Sequence, residues 1–550
     1  MQGLLQDTPL TLRWLFPRLE RLFPERGVAT ARYGRVVRRR SYGELARRAR
    51  RLGSALDRLG IKPGERVATF SHNSDDHLEQ MLGITAAGRV FHALNPRLAP
   101  AELKYIVDHA EDALVFVDAD LLDTWHRIGV TPSIRHTVAV QPPGVEVAAG
   151  DSEDYEIFLE RGEDDAAWPQ LDERAAAALC YTSGTTGKPK GVVYSHRGLV
   201  LVSMAWMFDD AMAVSQHDIF LPAVPFFHCQ AWALPFSALL AGCPFILAGA
   251  DVSPAALAAL VKSEQVTFAV GVPTIWSNVL AAIDAGEVDP AQLQTLDRIS
   301  CGGSAIPRWM LERYDAMGVR LIQNWGMTEM SPLGTVSRVR AEITPEKELD
   351  YRIMQGVPSP FVDLRIVDED GNELPWDGES AGELQASGPW IADAYYNPEA
   401  ADGRMDAGGF AVDAGGRRWL RTGDIARIHP LGYVHLLDRS KDLIKSGGEW
   451  ISSVLLEQLI DICPGVRASA VIAVYDDKWG ERPLAIVETL PGANVTEQEL
   501  LDSLRAQLSS WQVPDRVVFV GQLPRTSLGK LDKRRLREQY GGTDPAQFQP

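Results

Sequence analysis

The sequence predicts an α/β protein: a large N-terminal domain of helix-covered sheets plus a β-rich subdomain, and a small α+β C-terminal domain. Short β-like runs alternate with helical segments at 66–70, 100–110, 113–117, 245–248, 254–264, 267–270 and 274–285. Such alternation is typical of largely parallel sheets covered by helices. Two further observations are changes in the sequence pattern along the chain. Short strands with Gly, Asp and Pro turns begin at about residue 356, and a new pattern begins after Asp438.

Local signals support individual elements. Ser253 and Pro254 suit the N-cap and the first position of the helix predicted to follow them. Residues 38–65 carry a basic, amphipathic pattern that suits a surface helix. In the β-rich part, strands are predicted at 364–367, 382–386 and 433–437.

The segment after Asp438 is predicted to fold as a domain of its own. Its pattern predicts a helix, two strands and a second helix at 454–463, 468–474, 484–488 and 497–508. A length of about 110 residues is within the normal range for a domain. We therefore divide the chain into a large domain at 1–438 and a small domain at 439–550. The last residues, 541–550, have the composition of a loop.

Composition excludes several classes of protein. The formal charge of −18 over 550 residues argues against nucleic acid as a partner. The five cysteines are scattered and form no C-x-x-C pair, which fits a reducing compartment and argues against structural zinc. The N-terminus lacks the pattern of a secretion signal. The most apolar helical stretch, 199–208, is about half the ~20 residues of a membrane span. We expect a cytoplasmic protein without a transmembrane segment, and leave peripheral membrane contact open.

The segment at 181–192 (YTSGTTGKPKGV) is the strongest chemical signal in the chain. Glycines let backbone N–H groups approach a polyphosphate, hydroxyls donate to it, and lysines offset its charge. The segment does not fit G-x-x-x-x-G-K-[ST], because Thr182 stands where the first glycine is required and a proline follows the Gly-Lys pair. A strand-like run and a helix start at Ser195 predict a loop between two strands, unlike the loop of P-loop kinases and GTPases.

A second polar segment, 324–329 (NWGMTE), follows a strand-like run at 319–322. An aromatic residue beside a glycine is suited to stacking on a base. Mg²⁺ usually takes one or two carboxylates, with phosphates and water as its other ligands. Glu329 is therefore a candidate ligand, although a carboxylate by itself is more often a solvated surface group.

Three more polar segments follow in order. Residues 421–424 end in Asp424, and an acidic residue after a strand accepts hydrogen bonds from ribose in dinucleotide sites, although a lone T-G-D is usually a turn. Residues 438–450 contain a Gly-Gly turn with charged flanks, which alone fits a solvated hairpin. Residues 524–530 end in Lys530 and precede a basic helix, which alone fits a solvated surface.

Taken together and in this order, the five segments resemble the motifs of the adenylate-forming superfamily: acyl-CoA synthetases, peptide-synthetase adenylation domains and firefly-type luciferases. The resemblance covers residues 10–540. The runs at 92–97, 225–232, 445–452 and 478–483 are most similar to bacterial medium- and long-chain fatty-acid–CoA ligases.

The resemblance implies a reaction in two steps. A carboxylate attacks the α-phosphorus of MgATP to give acyl-AMP and pyrophosphate, and the coenzyme A thiol then displaces AMP. Two unit charges about 4 Å apart cost roughly 4 kcal/mol at an effective dielectric of about 20, so a cation is needed between the two anionic reactants. Lys530 matches the family's catalytic lysine. The small domain is then mobile, with its hinge at Lys441, and a second pose brings residues 445–450 to the site.

The resemblance also implies the site residues. Lys530, His228 and Glu329 are expected to be catalytic, and Thr182 and Glu329 to hold Mg²⁺. ATP or coenzyme A is expected to contact Thr182, Ser183, Gly184, Thr185, Thr186, Lys190, Gly302, Gly303, Ser304, Asn324, Trp325, Gly326, Met327, Thr328, Asp424, Arg439, Lys445 and Trp450. Tryptophan replaces the tyrosine that the family most often has at position 325, so stacking is retained but any contact through a phenol hydroxyl is lost.

For the acid, Trp232 matches an aromatic gate of fatty-acid ligases, and His228 lies where the carboxylate would approach. An acidic residue that would hold a substrate amine is not evident, so an apolar acid is favoured. Three alternatives stay open: a ligase for a short thioether acid such as 3-(methylthio)propionate, an enzyme that loads a separate carrier protein, and a non-catalytic nucleotide- or lipid-binding relative. The family also implies a homodimer, and the basic residues at 38–51 could form part of its interface.

Overall fold

A computed structural model describes residues 1, 3–129, 131–145, 150, 152–182, 188–406, 408–447, 449–490, 492–525 and 531–541. By internal packing the chain divides into two compact units. The first unit comprises Met1–Asp363 and Ala386–Leu420, and the second comprises Leu364–Gln385 and Arg421–Pro550. The boundary predicted between residues 438 and 439 concerns a domain that moves by itself, so it stays a prediction.

The first unit contains two large mixed sheets. In spatial order, the strands of one are Val357–Pro358, Thr335–Val336, Arg320–Trp325, Arg298–Gly302, Phe268–Gly271, Phe220–Pro222, Phe245–Leu247, Gly27–Arg32 and Arg35–Ser41. Its central strands are parallel and its outer strands antiparallel. Side chains such as Trp276 and Tyr314, from helices that cover this sheet, are fully buried in its core.

The strands of the other sheet are, in spatial order, Arg404–Met405, Tyr395–Tyr396, Gly191–Ser195, Ala176–Tyr181, Val90–Ala93, Arg66–Phe70, Asp112–Asp118, His136–Val140 and Glu153–Asp154. The strands from Ala176–Tyr181 to Glu153–Asp154 are parallel. The remaining strands pair antiparallel. The predicted class of helix-covered, largely parallel sheets is therefore confirmed.

The helices of the first unit are Leu15–Pro17, Tyr42–Arg58, Asp75–Ala86, Pro100–Ala110, Leu122–His126, Tyr155–Leu159, His196–Met207, Cys229–Trp232, Leu234–Ala241, Pro254–Glu264, Pro273–Asp284, Arg308–Ala316 and Glu348–Arg352. The predicted caps are confirmed. Ser253 Oγ accepts from the Ala256 N–H at 3.4 Å, and Ser195 Oγ accepts from the Gly198 N–H at 3.0 Å. Among the described helices, none has the length and apolar character that a membrane crossing requires.

The β-rich part forms a smaller sheet. Its strands run in the order Asp363–Val367, Gly382–Ser387, Arg418–Ile428 and Phe410–Val412, and Val434–Arg439 pairs antiparallel with Arg418–Ile428. The three strands predicted in this part are confirmed. Asp424 was expected after a strand but lies inside Arg418–Ile428, because strand pairing continues past Gly423, where Asp424 is the register partner of Arg439.

The C-terminal sheet of the second unit is covered on both faces. Its strands are Glu449–Ile451, Ile444–Ser446, Gly480–Thr489 and Val466–Asp476, with Arg516–Val520 parallel to Gly480–Thr489. Helices Ser453–Asp461 and Glu497–Arg505 pack on one face, around Val471. Helix Lys533–Tyr540 packs on the other face, around Ile472. Alternate residues of one strand thus belong to two cores, which confirms the predicted α+β arrangement.

The prediction of one surface helix over 38–65 was wrong in its first part. Residues 35–41 form a strand that pairs antiparallel with Gly27–Arg32, and the helix occupies Tyr42–Arg58. The arginines of the strand were taken as solvent-facing. Arg40 is instead only 6% exposed, because acidic side chains of helix Asp75–Ala86 surround it.

A buried ionic cluster joins this strand to that helix. One Arg40 nitrogen lies 3.1 Å from Asp75, 3.0 Å from Asp76 and 2.8 Å from Glu79. Arg48 Nε lies 2.6 Å from the same Glu79. Arg38 also contacts both aspartates. The basic run is therefore bound within the chain at three of its arginines, which removes them as support for a dimer interface.

Arg40→Ala should destabilise the protein by about 3–5 kcal/mol, because it leaves buried carboxylates uncompensated. The neighbouring Arg39 pairs with Glu264 but is largely exposed, so Arg39→Ala should cost no more than about 1 kcal/mol. Urea unfolding of both variants checks this. Equal midpoints for the two variants would contradict a structural role for the cluster.

Candidate active site

The glycine-rich segment connects two antiparallel strands, as predicted. Strand Ala176–Tyr181 pairs with Gly191–Ser195, and two hydrogen bonds between Thr182 and Lys190 close the base of the connection. The Thr182 N–H donates to the Lys190 carbonyl at 2.9 Å, and the Lys190 N–H donates to Thr182 Oγ1 at 3.2 Å. The predicted phosphate contacts Ser183, Gly184, Thr185 and Thr186 lie outside the described residues.

A lysine from this segment and the predicted magnesium ligand lie on one tyrosine. Tyr395 Oη donates to Glu329 Oε1 at 2.8 Å, and the Lys190 ammonium lies 4.6 Å from the centroid of the Tyr395 ring. Burial and the negative charge of Glu329 raise the pKa of Tyr395, so the phenol stays a donor at neutral pH. Glu329 is 6% exposed. Among the described residues, the bond from Tyr395 engages one carboxylate oxygen and leaves Oε2 for a cation.

Two further hydrogen bonds, from Tyr194 and Ala392, hold the backbone at Thr328 and Glu329. Tyr194 Oη, on the strand that follows the glycine-rich segment, donates to the Thr328 carbonyl at 2.8 Å. The Ala392 N–H donates to the Glu329 carbonyl at 2.7 Å. Neither Tyr194 nor Tyr395 was singled out from the sequence, because tyrosines in strands are ordinary and their partners are distant along the chain.

Two predicted nucleotide-binding segments lie at adjacent strand ends. Gly302 and Asn324 are register partners at the carboxyl ends of parallel strands, where ligands of open α/β sheets usually bind. Asn324 Nδ2 donates to Ser300 Oγ at 2.8 Å. A Cβ at Gly302 would overlap Asn324 Oδ1, so the glycine makes room for the amide. Gly303 and Ser304 follow at the exposed end.

The next residues pack closely against the loop that returns to the sheet. Trp325 is 7% exposed, and a Cβ at Gly334 would lie 2.9 Å from its ring. A Cβ at Gly326 would overlap the carbonyl oxygen of Pro332. Met327 precedes the short 3₁₀ turn Thr328–Met330 that contains Glu329. Glycine at 326 is therefore needed to keep this turn against the strand.

The predicted gate lies in a turn of left-handed backbone. The φ angles of Cys229, Gln230, Ala231, Trp232 and Ala233 lie between 48° and 63°. Such backbone costs L-residues roughly 1–2 kcal/mol each, and strain of this kind clusters at functional sites. Trp206 Nε1 donates to the Trp232 carbonyl at 2.9 Å, which helps to hold the turn. His228, half-buried, directly precedes it.

Other predicted residues lie in the second unit. Arg439 Nε lies 2.8 Å from Asp424 Oδ1, and Arg439 also donates to the Thr422 carbonyl at 3.1 Å. Lys445 and Trp450 are register partners in a hairpin, and the Lys445 ammonium lies 5.0 Å from the Trp450 ring centroid.

The remaining predictions for this unit concern the hinge and the catalytic lysine. Lys441 is exposed and directly follows the strand Val434–Arg439 and Ser440. The predicted catalytic Lys530 lies outside the described residues. The residues on either side of it, Arg525 and Leu531, form an antiparallel bridge and therefore lie next to each other.

The fold and the polar segments of the first unit are those of a nucleotide-binding α/β enzyme. Two family models match the chain: AMP-binding enzyme at residues 22–396 and AMP-binding enzyme C-terminal domain at residues 455–530. The chain therefore belongs to the family of AMP-binding enzymes.

Curated relatives cover nearly the whole chain. A long-chain-fatty-acid–CoA ligase of Thermus thermophilus is 42% identical over 98% of this chain and 96% of its own length. A medium-chain-fatty-acid–CoA ligase of Ectopseudomonas oleovorans is 39% identical over 98% of each chain. A 3-methylmercaptopropionyl-CoA ligase of Ruegeria lacuscaerulensis is 39% identical over 98% of this chain and 99% of its own.

Solved structures agree with this placement. ATP-bound MatB from Rhodopseudomonas palustris superposes with a TM-score of 0.81 at 27% identity, covering 97% of this chain and 99% of that one. A fatty acyl CoA synthetase of Mycobacterium tuberculosis gives 0.70 at 27% identity, covering 98% and 99%. The chain thus has the fold of adenylate-forming ligases, whose reaction uses ATP, Mg²⁺ and coenzyme A.

Gly326→Ala should displace the turn that carries Glu329. The added methyl group would overlap the Pro332 carbonyl oxygen, which belongs to the backbone and cannot rotate away as a side chain could. We expect a lower melting temperature and loss of most ATP-dependent activity. Gly521→Ala, where nothing lies within 4 Å of the new carbon, is the matched control. Calorimetry and an activity assay check both, and full activity of Gly326→Ala would contradict the close approach.

Proposed function

We propose that this protein is an ATP-dependent ligase that joins an apolar carboxylic acid of the fatty-acid type to coenzyme A. The acid attacks the α-phosphorus of ATP to give acyl-AMP and pyrophosphate, and the coenzyme A thiol then displaces AMP. The buried Glu329, fixed by Tyr395 beside Lys190 of the glycine-rich segment, carries this proposal within the structure. Full-length relatives that are coenzyme A ligases support it.

The described residues fit a magnesium ion bound with phosphates. Glu329 Oε2 and the Thr182 hydroxyl would hold it, and a site with one carboxylate suits Mg²⁺ that keeps phosphate and water ligands. When bound, the ion supplies positive charge between the phosphate oxygens. Lys190, whose ammonium lies over the Tyr395 ring, would add a second positive charge. Ser183, Gly184, Thr185 and Thr186 would donate to the β- and γ-phosphates.

The contacts of the nucleoside part are proposed from the family resemblance. Gly302, Gly303, Ser304 and residues 324–328 would frame the adenine, with Trp325 stacking on it. Asp424 would accept hydrogen bonds from the ribose, and Arg439, which pairs with it, would orient its carboxylate.

The family resemblance makes Lys530 the proposed catalytic residue, and charge repulsion between the reactants explains why a cation is needed. The Lys530 ammonium would lie between the substrate carboxylate and the α-phosphate. Without a cation there, the repulsion between these two anions costs roughly several kcal/mol at short range. We propose that the small domain, 439–550, closes to deliver it and turns about Lys441. A second pose would bring Lys445 and Trp450 to the path of the coenzyme A thiol.

An apolar acid suits the surroundings of the proposed gate. Trp232 is buried, and the helix that follows, Leu234–Ala241 (LPFSALLA), is almost entirely apolar and buried. Each methylene that a substrate buries adds about 0.8 kcal/mol, so chain length would be selected by the depth of the pocket. His228 lies before the gate turn, where the substrate carboxylate would approach.

A short thioether acid is the second candidate. Two relatives that cover 98% of this chain, at 39% and 40% identity, are 3-methylmercaptopropionyl-CoA ligases. The acid is tested by measuring AMP formation with ATP and coenzyme A across straight-chain acids from propionate to palmitate, with 3-(methylthio)propionate included. A maximum at six or more carbons supports the first candidate, and a maximum at the thioether acid supports the second. ADP as the product would reject both.

We also propose a cytoplasmic homodimer. All five cysteines are free, which fits a reducing compartment. The dimer rests on the family resemblance, since Arg38, Arg40 and Arg48 have partners within the chain. Light scattering on the purified protein decides between monomer and dimer.

Lys530→Ala should lower the rate of acyl-AMP formation by about 10²–10³-fold, as expected for loss of an electrostatic stabiliser. The variant should still convert supplied acyl-AMP and coenzyme A to acyl-CoA. Arg534→Ala, a largely exposed residue on the next helix, should leave both steps unchanged. An equal loss of both steps in Lys530→Ala would refute this division of roles.

Tyr395→Phe should raise the Mg²⁺ concentration needed for half-maximal acyl-AMP formation by about 10- to 100-fold, the value of one hydrogen bond to a charged group. The Michaelis constant for the acid should change less, since the acid is proposed to bind at the gate turn of Trp232. Tyr396→Phe, at the half-exposed neighbour, is the control. A Tyr395→Phe enzyme with ordinary Mg²⁺ dependence would show that Tyr395 does not orient Glu329.

A further inference from the structure

Two consecutive serines of the second unit hold the strand that leads to the proposed hinge. Ser452 and Ser453 lie at the start of a helix, and Leu437 and Asp438 lie in the strand Val434–Arg439. Ser452 Oγ donates to the Leu437 carbonyl. The N–H and the Oγ of Ser453 both donate to Asp438 Oδ2, at 2.6 and 2.5 Å. We call these four residues the hinge clasp.

A lysine from a second helix extends the hinge clasp. Lys533 Nζ donates to Ser453 Oγ at 2.6 Å and lies 2.7 Å from Glu457 Oε1. The Ser453 hydroxyl therefore accepts from an ammonium and donates to a carboxylate, so it connects two opposite charges. Ser453 is fully buried and Asp438 is 5% exposed. Hydrogen bonds to charged groups are about twice as strong as neutral ones, and burial strengthens them further.

The hinge clasp joins parts of the chain on opposite sides of the proposed pivot, Lys441. Asp438 precedes the pivot and is fixed to the β-rich sheet, where it is the register partner of Ile425. The two serines and Lys533 follow the pivot, on helices that pack against the C-terminal sheet. This inference rests on the proposed function, in which the small domain turns about Lys441. Such a turn carries the serines away from Asp438.

A neighbouring ion pair lies entirely beyond the pivot. Arg537, on the same helix as Lys533, pairs with Asp442, the residue after Lys441. Both partners belong to the small domain, so they turn together and their contact is kept. This pair therefore distinguishes a contact that crosses the pivot from one that only stabilises the small domain.

We propose that the hinge clasp is a latch that opposes the turn of the small domain about Lys441. The clasp is made in the pose that the structure shows and is broken in the second pose. Each hydrogen bond to a charged group contributes a factor of about 10 or more to such an equilibrium. The clasp thereby sets the balance between the pose for acyl-AMP formation and the pose for the coenzyme A step.

The test measures the distance between spin labels at two exposed positions of the second unit. Asp370→Cys labels a turn of the β-rich part, and Gln507→Cys labels the small domain. Serine replaces the half-buried Cys463, and the other four cysteines are buried. Pulsed dipolar spectra are recorded on the full-length protein without ligands, and again with an octanoyl sulfamate of adenosine plus coenzyme A.

Without ligands, the labelled protein should show mainly one distance, and the ligands should raise a second. In the absence of ligands, Ser453→Ala should increase the share of the second distance relative to the first by about 10-fold, and so should Asp438→Asn. Both variants should also change the ratio of the acyl-AMP rate to the thioester rate, in the same direction. Arg537→Gln should match the unsubstituted protein in both measurements.

The inference is overturned if both clasp variants keep the original distances without ligands, or if Arg537→Gln shifts them as much. A change of both half-reaction rates by one common factor would also overturn it, because a merely structural role predicts that result. Asp438→Asn keeps the shape of the side chain, so the test stands even if Ser453→Ala folds poorly. Absence of acid-dependent acyl-AMP formation in the wild type would instead contradict the proposed function, whatever the distances show.

Discussion

A buried hydrogen bond between a phenol and a carboxylate fixes the part of the molecule on which the proposed chemistry depends. Tyr395 donates to Glu329 while its ring faces the Lys190 ammonium. These residues come from three distant stretches of the chain. They meet because Tyr395–Tyr396 pairs antiparallel with the strand that begins at Gly191, so the end of the glycine-rich segment and the tyrosine lie at one position of the sheet. A magnesium site needs such fixed oxygens, since the ion demands near-ideal geometry.

The second constraint is the close approach of backbones at the carboxyl ends of parallel strands. Gly302 makes room for the Asn324 amide, and Gly326 makes room for the Pro332 carbonyl. These contacts keep neighbouring backbone segments close together at the strand ends where a nucleotide is proposed to bind. The left-handed turn after His228 has the opposite character, because five residues with side chains hold strained backbone there. Packing of its neighbours, including the bond from Trp206, offsets the cost.

Much of the fold could be predicted because its signals are local. The helices Pro100–Ala110 and Pro254–Glu264 begin and end at the predicted residues, and proline at the first position of each is such a signal. Residues 38–41 of the strand were mistaken for helix because the carboxylates that bury Arg40 belong to a helix more than thirty residues away. The charge of these arginines predicted an exposed position, and only their tertiary partners show that Arg40 is buried.

The candidate site likewise contains residues that could be predicted from the sequence and residues that could not. Glycine-rich and acidic segments such as 324–329 have compositions that indicate phosphate and metal chemistry, so they could be found in the sequence. Tyr395 and Tyr194 could not, since each is an ordinary residue of a strand whose role comes from a distant partner. The roles of Lys530 and of domain closure rest on the family and on charge repulsion, because that lysine lies outside the described residues.

The central claim is that this site activates a carboxylic acid by transferring AMP to it before coenzyme A takes part. Exchange of labelled pyrophosphate into ATP measures that step alone, because it requires reversible formation of acyl-AMP. The account predicts exchange that depends on both acid and Mg²⁺ and proceeds without coenzyme A. Exchange that appears only when coenzyme A is added, or none with any acid that the enzyme consumes, would contradict it.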